Sequence, residues 1–246
     1  MKTPVIDLLA LPCAGASATM YLRWRRQLPA WIRLVPVELP GRGARLSEPC
    51  IEGFESQVDL ICREHAASLS GRYALFGHSM GALLAYGVAR RQLALGQCLP
   101  QALFASASPA PSRRHPDHFP SKGDDAALIA HLRKQGGTPE EVFENRELLR
   151  LTLDTLGADY RVCESFAHGA GARLPSPLHV FAGRQDDIAL DRIEAWRHEA
   201  AGDFSLDWFE GGHFYIRQHE PAVLSALERT LAQAVSEPQH AARAVA

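Results

Sequence analysis

Short apolar runs alternate along the chain with longer stretches of helical period, the pattern of a parallel sheet wrapped by helices. Residues 5–11 (VIDLLAL), 32–39 (IRLVPVEL), 73–76 (YALF), 102–107, 177–182 and 205–209 read as strands. Residues 54–69 place Val58, Ile61, Cys62 and Leu69 at roughly helical spacing, and 82–95 is dense in Ala and Leu. Further helices are predicted around 193–200 and from 221 to about 235, and Trp24 and Leu28 stand at i, i+4 between the first two strands. The fold class is therefore α/β, with a mostly parallel central sheet flanked by helices.

The pattern changes between Ser108 and Pro177. Pro109, Pro111, Pro116 and Pro120 punctuate a polar stretch, and helical pieces follow at 126–134, 140–145 and 147–166. An insertion of this length inside an α/β alternation, at about 109–174, reads as a helical lid over the carboxyl edge of the sheet. The rest of 1–235 forms a single domain with it. The tail 236–246 (SEPQHAARAVA) has little apolar periodicity and is expected to fray. No internal repeat is visible.

Composition narrows the function class. Lys+Arg 26 against Asp+Glu 28 gives a formal charge of -2, which lacks the basic excess of a nucleic-acid binder. No apolar run is long enough to span a bilayer. Five cysteines, an odd number with no C-x-x-C spacing, argue against a disulfide framework and a zinc site and fit a reducing compartment. The start of the chain (LLALPC) resembles a lipid-attachment box, but Asp7 interrupts it and Pro12 precedes the cysteine. It reads better as a first buried strand, and a cytoplasmic, monomeric protein is expected.

The sharpest chemical signal is Gly77-His78-Ser79-Met80-Gly81, a G-x-S-x-G pentapeptide between the strand YALF and a helix. Such a turn needs small residues two positions either side of the serine and presents its hydroxyl at a helix N-terminus, where dipole and free amides favour developing negative charge. The competing reading is a glycine-flanked helix start whose serine merely caps. A nucleophilic serine needs a base and an orienting acid, and in the α/β-hydrolase arrangement these follow in the order acid, then histidine. Val180 to Gly183 ends a strand and is followed by Asp186 and Asp187; the G-x-x-D spacing favours Asp186. Asp203 and Asp207 sit in or beside a strand and are less well placed. His213 lies on the glycine-rich loop Glu210-Gly211-Gly212-His213-Phe214.

Oxyanion donors are expected from the amide of Met80 and, in the loop after the first strand (PCAGAS), from the amide of Ala14. No metal or cofactor is called for. Cys13 lacks a histidine partner in this pattern. His115 and His118 lack a second half of a metal site, His78 is read as shaping the pocket entrance, and the four tryptophans are read as core or partly buried residues.

These stretches together resemble the type II thioesterases, the stand-alone editing enzymes of nonribosomal peptide and polyketide synthesis. The resemblance rests on Leu11 to Ser17 with Trp24, Val37-Glu38-Leu39-Pro40-Gly41-Arg42-Gly43-Ala44-Arg45, Phe76 to Ala82, Phe181 through Asp186, Trp196 and Gly211 to Phe214, and runs from about residue 5 to 235. L-P-G-R-G-x-R is far more discriminating than G-x-S-x-G. Cys13, Ala16 in place of a second glycine, and Gly157-Ala158-Asp159 in place of Arg-Ala-Asp depart from the family pattern and bear on pocket shape. The resemblance implies hydrolysis of wrongly loaded acyl groups from the phosphopantetheine arm of a carrier protein in antibiotic- or siderophore-type biosynthesis, under a mobile helical lid. The arginines of 40–45 are read as braces that hydrogen-bond carbonyls rather than as phosphate ligands. A medium-chain acyl-carrier-protein thioesterase, a general carboxylesterase and a non-catalytic carrier-protein-binding module are the alternatives.

Overall fold

The structure, a computed structural model, describes residues 5–114, 119–169 and 171–236. The His115 and His118 pair and all but the first residue of the predicted tail lie outside them. In chain order the strands are β1 (Ile6–Leu11), β2 (Ile32–Pro36), β3 (Tyr73–His78), β4 (Leu103–Ser106), β5 (Leu178–Gly183) and β6 (Phe204–Phe209). They form one parallel sheet in the order β2-β1-β3-β4-β5-β6. The order reverses between β1 and β3, so a crevice opens where the loops after these two strands diverge. Leu11 pairs with Gly77 there, setting the end of β1 beside the G-x-S-x-G turn.

The helices are α1 (Phe54–Glu64), α2 (Ala66–Leu69), α3 (Met80–Ala94), α4 (Asp125–Gln135), α5 (Glu140–Glu144), α6 (Arg146–Glu164), α7 (Leu190–Glu194), α8 (Tyr215–Gln218) and α9 (Glu220–Ser236). The sheet is apolar on both faces, as a parallel sheet covered by helices must be. Leu9, Leu11, Tyr73 and Leu75 point to one side, packing with α1 and α3 residues such as Phe54, Val58, Leu84 and Val88. Their neighbours Leu8, Ala10, Ala74 and Phe76 point to the other, against Tyr21, Trp24 and the Val223, Leu227 and Leu231 stripe of α9.

Several predicted boundaries move for local reasons. The predicted strand 32–39 ends at Pro36, although Val37 still donates to Ala10 O at 2.9 Å. The predicted helix 54–69 breaks at His65 (φ −106, ψ 19) into α1 and α2. The Trp24 segment is a 3-10 helix, Ala18–Arg26, rather than an α-helix; Ser17 Oγ caps it by accepting from Thr19 N at 3.2 Å. The helix expected around 193–200 is α7 followed by a 3-10 turn, Ala195–Glu199. The four-residue α8, too short for a periodic signal, was not anticipated.

Between β4 and β5 the chain carries α4, α5 and α6, and side chains cap the starts of α4 and α6. Asp124 accepts from Ala127 N at 3.0 Å, and Asn145 accepts from Glu147 N and Leu148 N, both at 3.0 Å. Leu128 and Leu132 of α4 pack on Leu153, Leu156 and Tyr160 of α6 as a separate small core. The C-terminal part of α6 goes further inward: Val162 and Cys163 belong to the main core. Half of the inserted segment is thus a cover, and half is wedged into the body.

Gly87 of α3 marks a close contact with α1. A Cβ there would stand 2.6 Å from Phe54 Cζ and 2.7 Å from Val58 Cγ2 of α1. Helix propensity alone favours Gly→Ala by about 1 kcal/mol; overpacking a filled core costs about 1–3 kcal/mol. Gly87→Ala is therefore expected to lower stability, read as a reduced urea midpoint at unchanged slope. A raised midpoint would show that the two helices separate at little cost.

Candidate active site

Ser79 closes β3 and precedes α3 with φ 56 and ψ −114, a region that non-glycine residues rarely occupy. The turn around it is possible only because of its glycines. A Cβ on Gly77 would fall 2.0 Å from Gly81 O, and one on Gly81 would fall 2.1 Å from Leu11 O. In both cases the obstacle is backbone and cannot yield. Ser79 makes no side-chain cap bond to α3, which removes the capping-serine reading and leaves its hydroxyl uncommitted to the helix. Ser79 N donates to Ser106 O at 2.8 Å, fastening the turn to the end of β4.

His213 Nδ1 and Asp186 Oδ2 are 2.9 Å apart, with side-chain exposures of 12% and 5%. Asp187 instead faces solvent at 72% exposure and pairs with Lys134 at 2.8 Å, which lowers its pKa. The two loops that deliver acid and histidine are stitched together: Arg184 N donates to Phe209 O (2.9 Å), Gln185 N to Gly211 O (3.0 Å), and Gln185 Nε2 to Glu210 Oε2 (3.0 Å). Gly183 permits this approach, since a Cβ on it would lie 2.6 Å from the carbonyl oxygens of Gly211 and Gly212. Asp203 and Asp207 are exposed.

Ser79 and His213 line one cavity of about 320 Å³, together with Cys13, Ala14, Gly15, Leu156, Tyr160 and Phe214. With Nδ1 engaged by Asp186, the Nε2 of His213 is the nitrogen left for the cavity. The Cys13 thiol borders the same space, but burial pushes its pKa up to about 12 despite the nearby Arg217, so it stays protonated and a poor nucleophile. Among the described residues, no group of three or more His, Cys, Asp and Glu side chains is placed to hold a metal ion.

The loop after β1 is a tight turn. Ala16 N donates to Cys13 O at 3.1 Å, and Gly15 occupies φ +73 at its third position while Ala14 keeps a negative φ. That is the type II geometry, which wants glycine there. Gly15 N donates to Asp159 Oδ2 (2.7 Å) and Ala18 N to Glu38 Oε1 (3.0 Å). The Ala14 amide makes no hydrogen bond among the described residues, and neither does that of Met80, at the first turn of α3. These are the two amides assigned above to an oxyanion.

His78 does not shape the pocket entrance, as its place next to Ser79 had suggested. It is fully buried beneath the site, and Nδ1 lies 2.9 Å from Ser106 Oγ, which is in turn 2.6 Å from Tyr215 OH. Its ring centroid is 5.2 Å from that of His213. Sequence reasoning missed Ser106 and Tyr215, and it named Glu38 and Asp159 without their hydrogen-bonding roles, because a long-range polar contact leaves no periodic signal. Arg42 is also buried: its guanidinium meets both oxygens of Asp159 at 2.5 and 2.7 Å and reaches Pro40 O and Ala16 O only at 3.4 and 3.3 Å. The expected carbonyl brace is therefore chiefly a carboxylate brace. Trp24 and Trp196 are core residues; Trp31 and Trp208 are half-buried.

A strained serine at the switch point of a parallel sheet, with acid and histidine loops after its last two strands, defines a protein of the α/β-hydrolase fold. More narrowly, the chain belongs to the thioesterase domain family, whose sequence pattern matches residues 7–231. It is 36% identical over 213 residues to thioesterase PikA5 of Streptomyces venezuelae, covering 86% of this chain and 75% of that protein. It resembles the solved structure of BorB, a type II thioesterase from the borrelidin biosynthetic cluster, with TM-score 0.84 and 35% identity over 94% of this chain and 95% of the other. RedJ, a thioesterase from the prodiginine pathway of Streptomyces coelicolor, gives TM-score 0.85 and 30% identity over 94% of each chain. No helix among the described residues is long and apolar enough to cross a membrane.

Burial holds His78 well below the usual imidazole pKa and, to lesser degrees, lowers His65, His131 and His179. The folded protein takes up protons at these rings at lower pH than the unfolded chain, which does so near pH 6.5. Below that pH the unfolded state binds more protons, so stability falls with pH, by up to about 1.4 kcal/mol per pH unit from His78 alone. Urea midpoints are expected to drop from pH 7.5 to pH 5.5, above the range where carboxylates titrate. Identical midpoints at the two pH values would contradict the neutral buried histidine.

Proposed function

We propose that this protein is a serine thioesterase of the type II kind, removing aberrant acyl groups from the phosphopantetheine arm of carrier proteins in nonribosomal peptide or polyketide biosynthesis. The observation that carries the reading is the Asp186–His213 pair, standing with the uncapped Ser79 around one cavity. Relatives support the biosynthetic setting: gramicidin S biosynthesis protein GrsT of Aneurinibacillus migulanus is 30% identical over 86% of this chain, and the yersiniabactin-pathway type II thioesterase YbtT is 29% identical over 96%. The five unpaired cysteines fit a cytoplasmic setting. The reading requires no metal or cofactor of its own.

In this mechanism His213 Nε2 takes the Ser79 proton as Oγ attacks the thioester carbonyl. Asp186 keeps the proton on Nδ1 and stabilises the imidazolium. The Met80 and Ala14 amides receive the tetrahedral oxyanion. Collapse expels the pantetheine thiol, protonated by His213, and leaves an acyl group on Ser79. Water, deprotonated by the same imidazole, then releases the acid. A thiolate leaves readily, so the site has no need of a further acid.

Ser79→Ala is expected to lower hydrolysis of an acetyl- or aminoacyl-carrier protein by several orders of magnitude while the fold, read by circular dichroism, is retained. Asp186→Asn should cost far more activity than Asp187→Asn, measured side by side. A panel of short acyl, aminoacyl and medium-chain groups on peptidyl and fatty-acid carrier proteins separates editing from fatty-acid release: short and aminoacyl groups on peptidyl carriers are expected to turn over fastest. Undiminished hydrolysis by Ser79→Ala would falsify the nucleophile assignment.

A further inference from the structure

Asp159, on the cover helix α6, is 1% exposed and sits beneath the loop assigned to the oxyanion. Its Oδ2 accepts from Arg42 Nη1 (2.5 Å) and from Gly15 N (2.7 Å), and its Oδ1 accepts from Arg42 Nη2 (2.7 Å). Arg42, 5% exposed, also reaches Ala16 O at 3.3 Å. One buried pair therefore grips the two residues on either side of the Gly15–Ala16 peptide. At the far end, Glu38 takes Ser17 Oγ (2.9 Å) and Ala18 N (3.0 Å).

The turn at Cys13–Ala16 has two common forms that differ by a flip of its central Ala14–Gly15 peptide. In the observed form the Gly15 N–H faces Asp159. In the flipped form the Ala14 carbonyl would face that carboxylate, oxygen against oxygen, in a site nearly shut off from water. The charge thus favours one form, and it also occupies the Gly15 amide, leaving the Ala14 amide unpaired beside Ser79. Packing agrees, since a Cβ on Gly15 would touch Leu156 Cδ1 at 3.3 Å on the same helix.

We infer that Asp159 and Arg42 are positioning residues for the reaction: through Gly15, they fix the loop so that the Ala14 amide, and not its neighbour, is presented to the oxyanion. The inference rests on the serine-thioesterase reading above. It makes α6 a part of the catalytic apparatus as well as of the cover. A buried ion pair of this kind adds little net stability compared with an apolar replacement of similar volume, so its benefit lies in where it puts the loop.

The test uses the full chain carrying Arg42→Met with Asp159→Leu, which removes both charges together, and Asp159→Asn as a second variant. Each is assayed for kcat and KM on an acyl-pantetheine thioester, and for affinity toward an alkyl boronic acid, whose tetrahedral adduct mimics the transition state. Loss or misplacement of an oxyanion donor costs about 10- to 100-fold in kcat or more. The expected result is that loss in kcat, KM within about threefold of the parent, and boronate affinity weakened in step with kcat. Arg42→Lys, which leaves Asp159 charged and bonded to Gly15, is expected to restore most of the rate. A folded double variant with parental kcat and boronate affinity would overturn the inference, as would failure of both variants to fold, which would mark the pair as a purely structural brace. Ser79→Ala run in parallel distinguishes the two levels, because activity surviving in that variant sinks the thioesterase site itself, whatever Asp159 does.

Discussion

Everything in the site depends on how closely three backbone segments approach at the end of β3. Gly77 lies against Gly81, and Gly81 lies against the end of β1, at separations that no side chain could share. That contact forces Ser79 into its unfavourable φ and turns its hydroxyl away from the helix it precedes. Strain of this sort costs on the order of 1–3 kcal/mol and persists only where the surroundings over-determine it. Here the surroundings are a fully buried strand, a 15-residue helix buried along most of its length, and a hydrogen bond from Ser79 N to β4.

From that fixed point the polar network radiates inward rather than outward. Ser106 holds Ser79 through its carbonyl and, through its hydroxyl, bridges His78 to Tyr215. Tyr215 follows the His213 loop directly and is bonded back to it through Gly212 O. The turn that carries Ser79 and the loop that carries His213 are therefore joined through one buried serine. On the other side, Asp159 joins the loop after β1 to α6 and to Arg42. Loops, which ordinarily are the mobile part of such a fold, are here tied to one another and to the core by charge-assisted or buried hydrogen bonds.

Much of this was legible in the chain. Apolar runs marked all six strands: β1, β3 and β4 are buried along their whole length, as a sheet covered on both faces requires, while β2 and β6 at the edges are partly exposed. Ser79 after β3, Asp186 after β5 and His213 after β6 stand at the strand ends that residue type and order indicate, with Asp186 and His213 paired. What escaped was long-range. His78 reads as a neighbour of the nucleophile and so as a pocket residue, but the tight turn sends alternate side chains to opposite sides and drives it into the core. Asp159 stands out in the sequence only as part of Gly157-Ala158-Asp159, and its pairing is hidden because its partner lies 117 residues earlier. The 3-10 form of Ala18–Arg26 escaped because the one spacing read there, Trp24 and Leu28 at i, i+4, does not by itself fix the helix type.

The central claim is that Ser79, activated by His213 and oriented by Asp186, is the one nucleophile of this cavity. Intact-mass spectrometry after reaction with an alkyl fluorophosphonate reads this directly. The account predicts a single stoichiometric adduct, mapped to the peptide bearing Ser79, that forms far more slowly in His213→Ala. An unmodified protein, or an adduct on Cys13 or another serine, would contradict it.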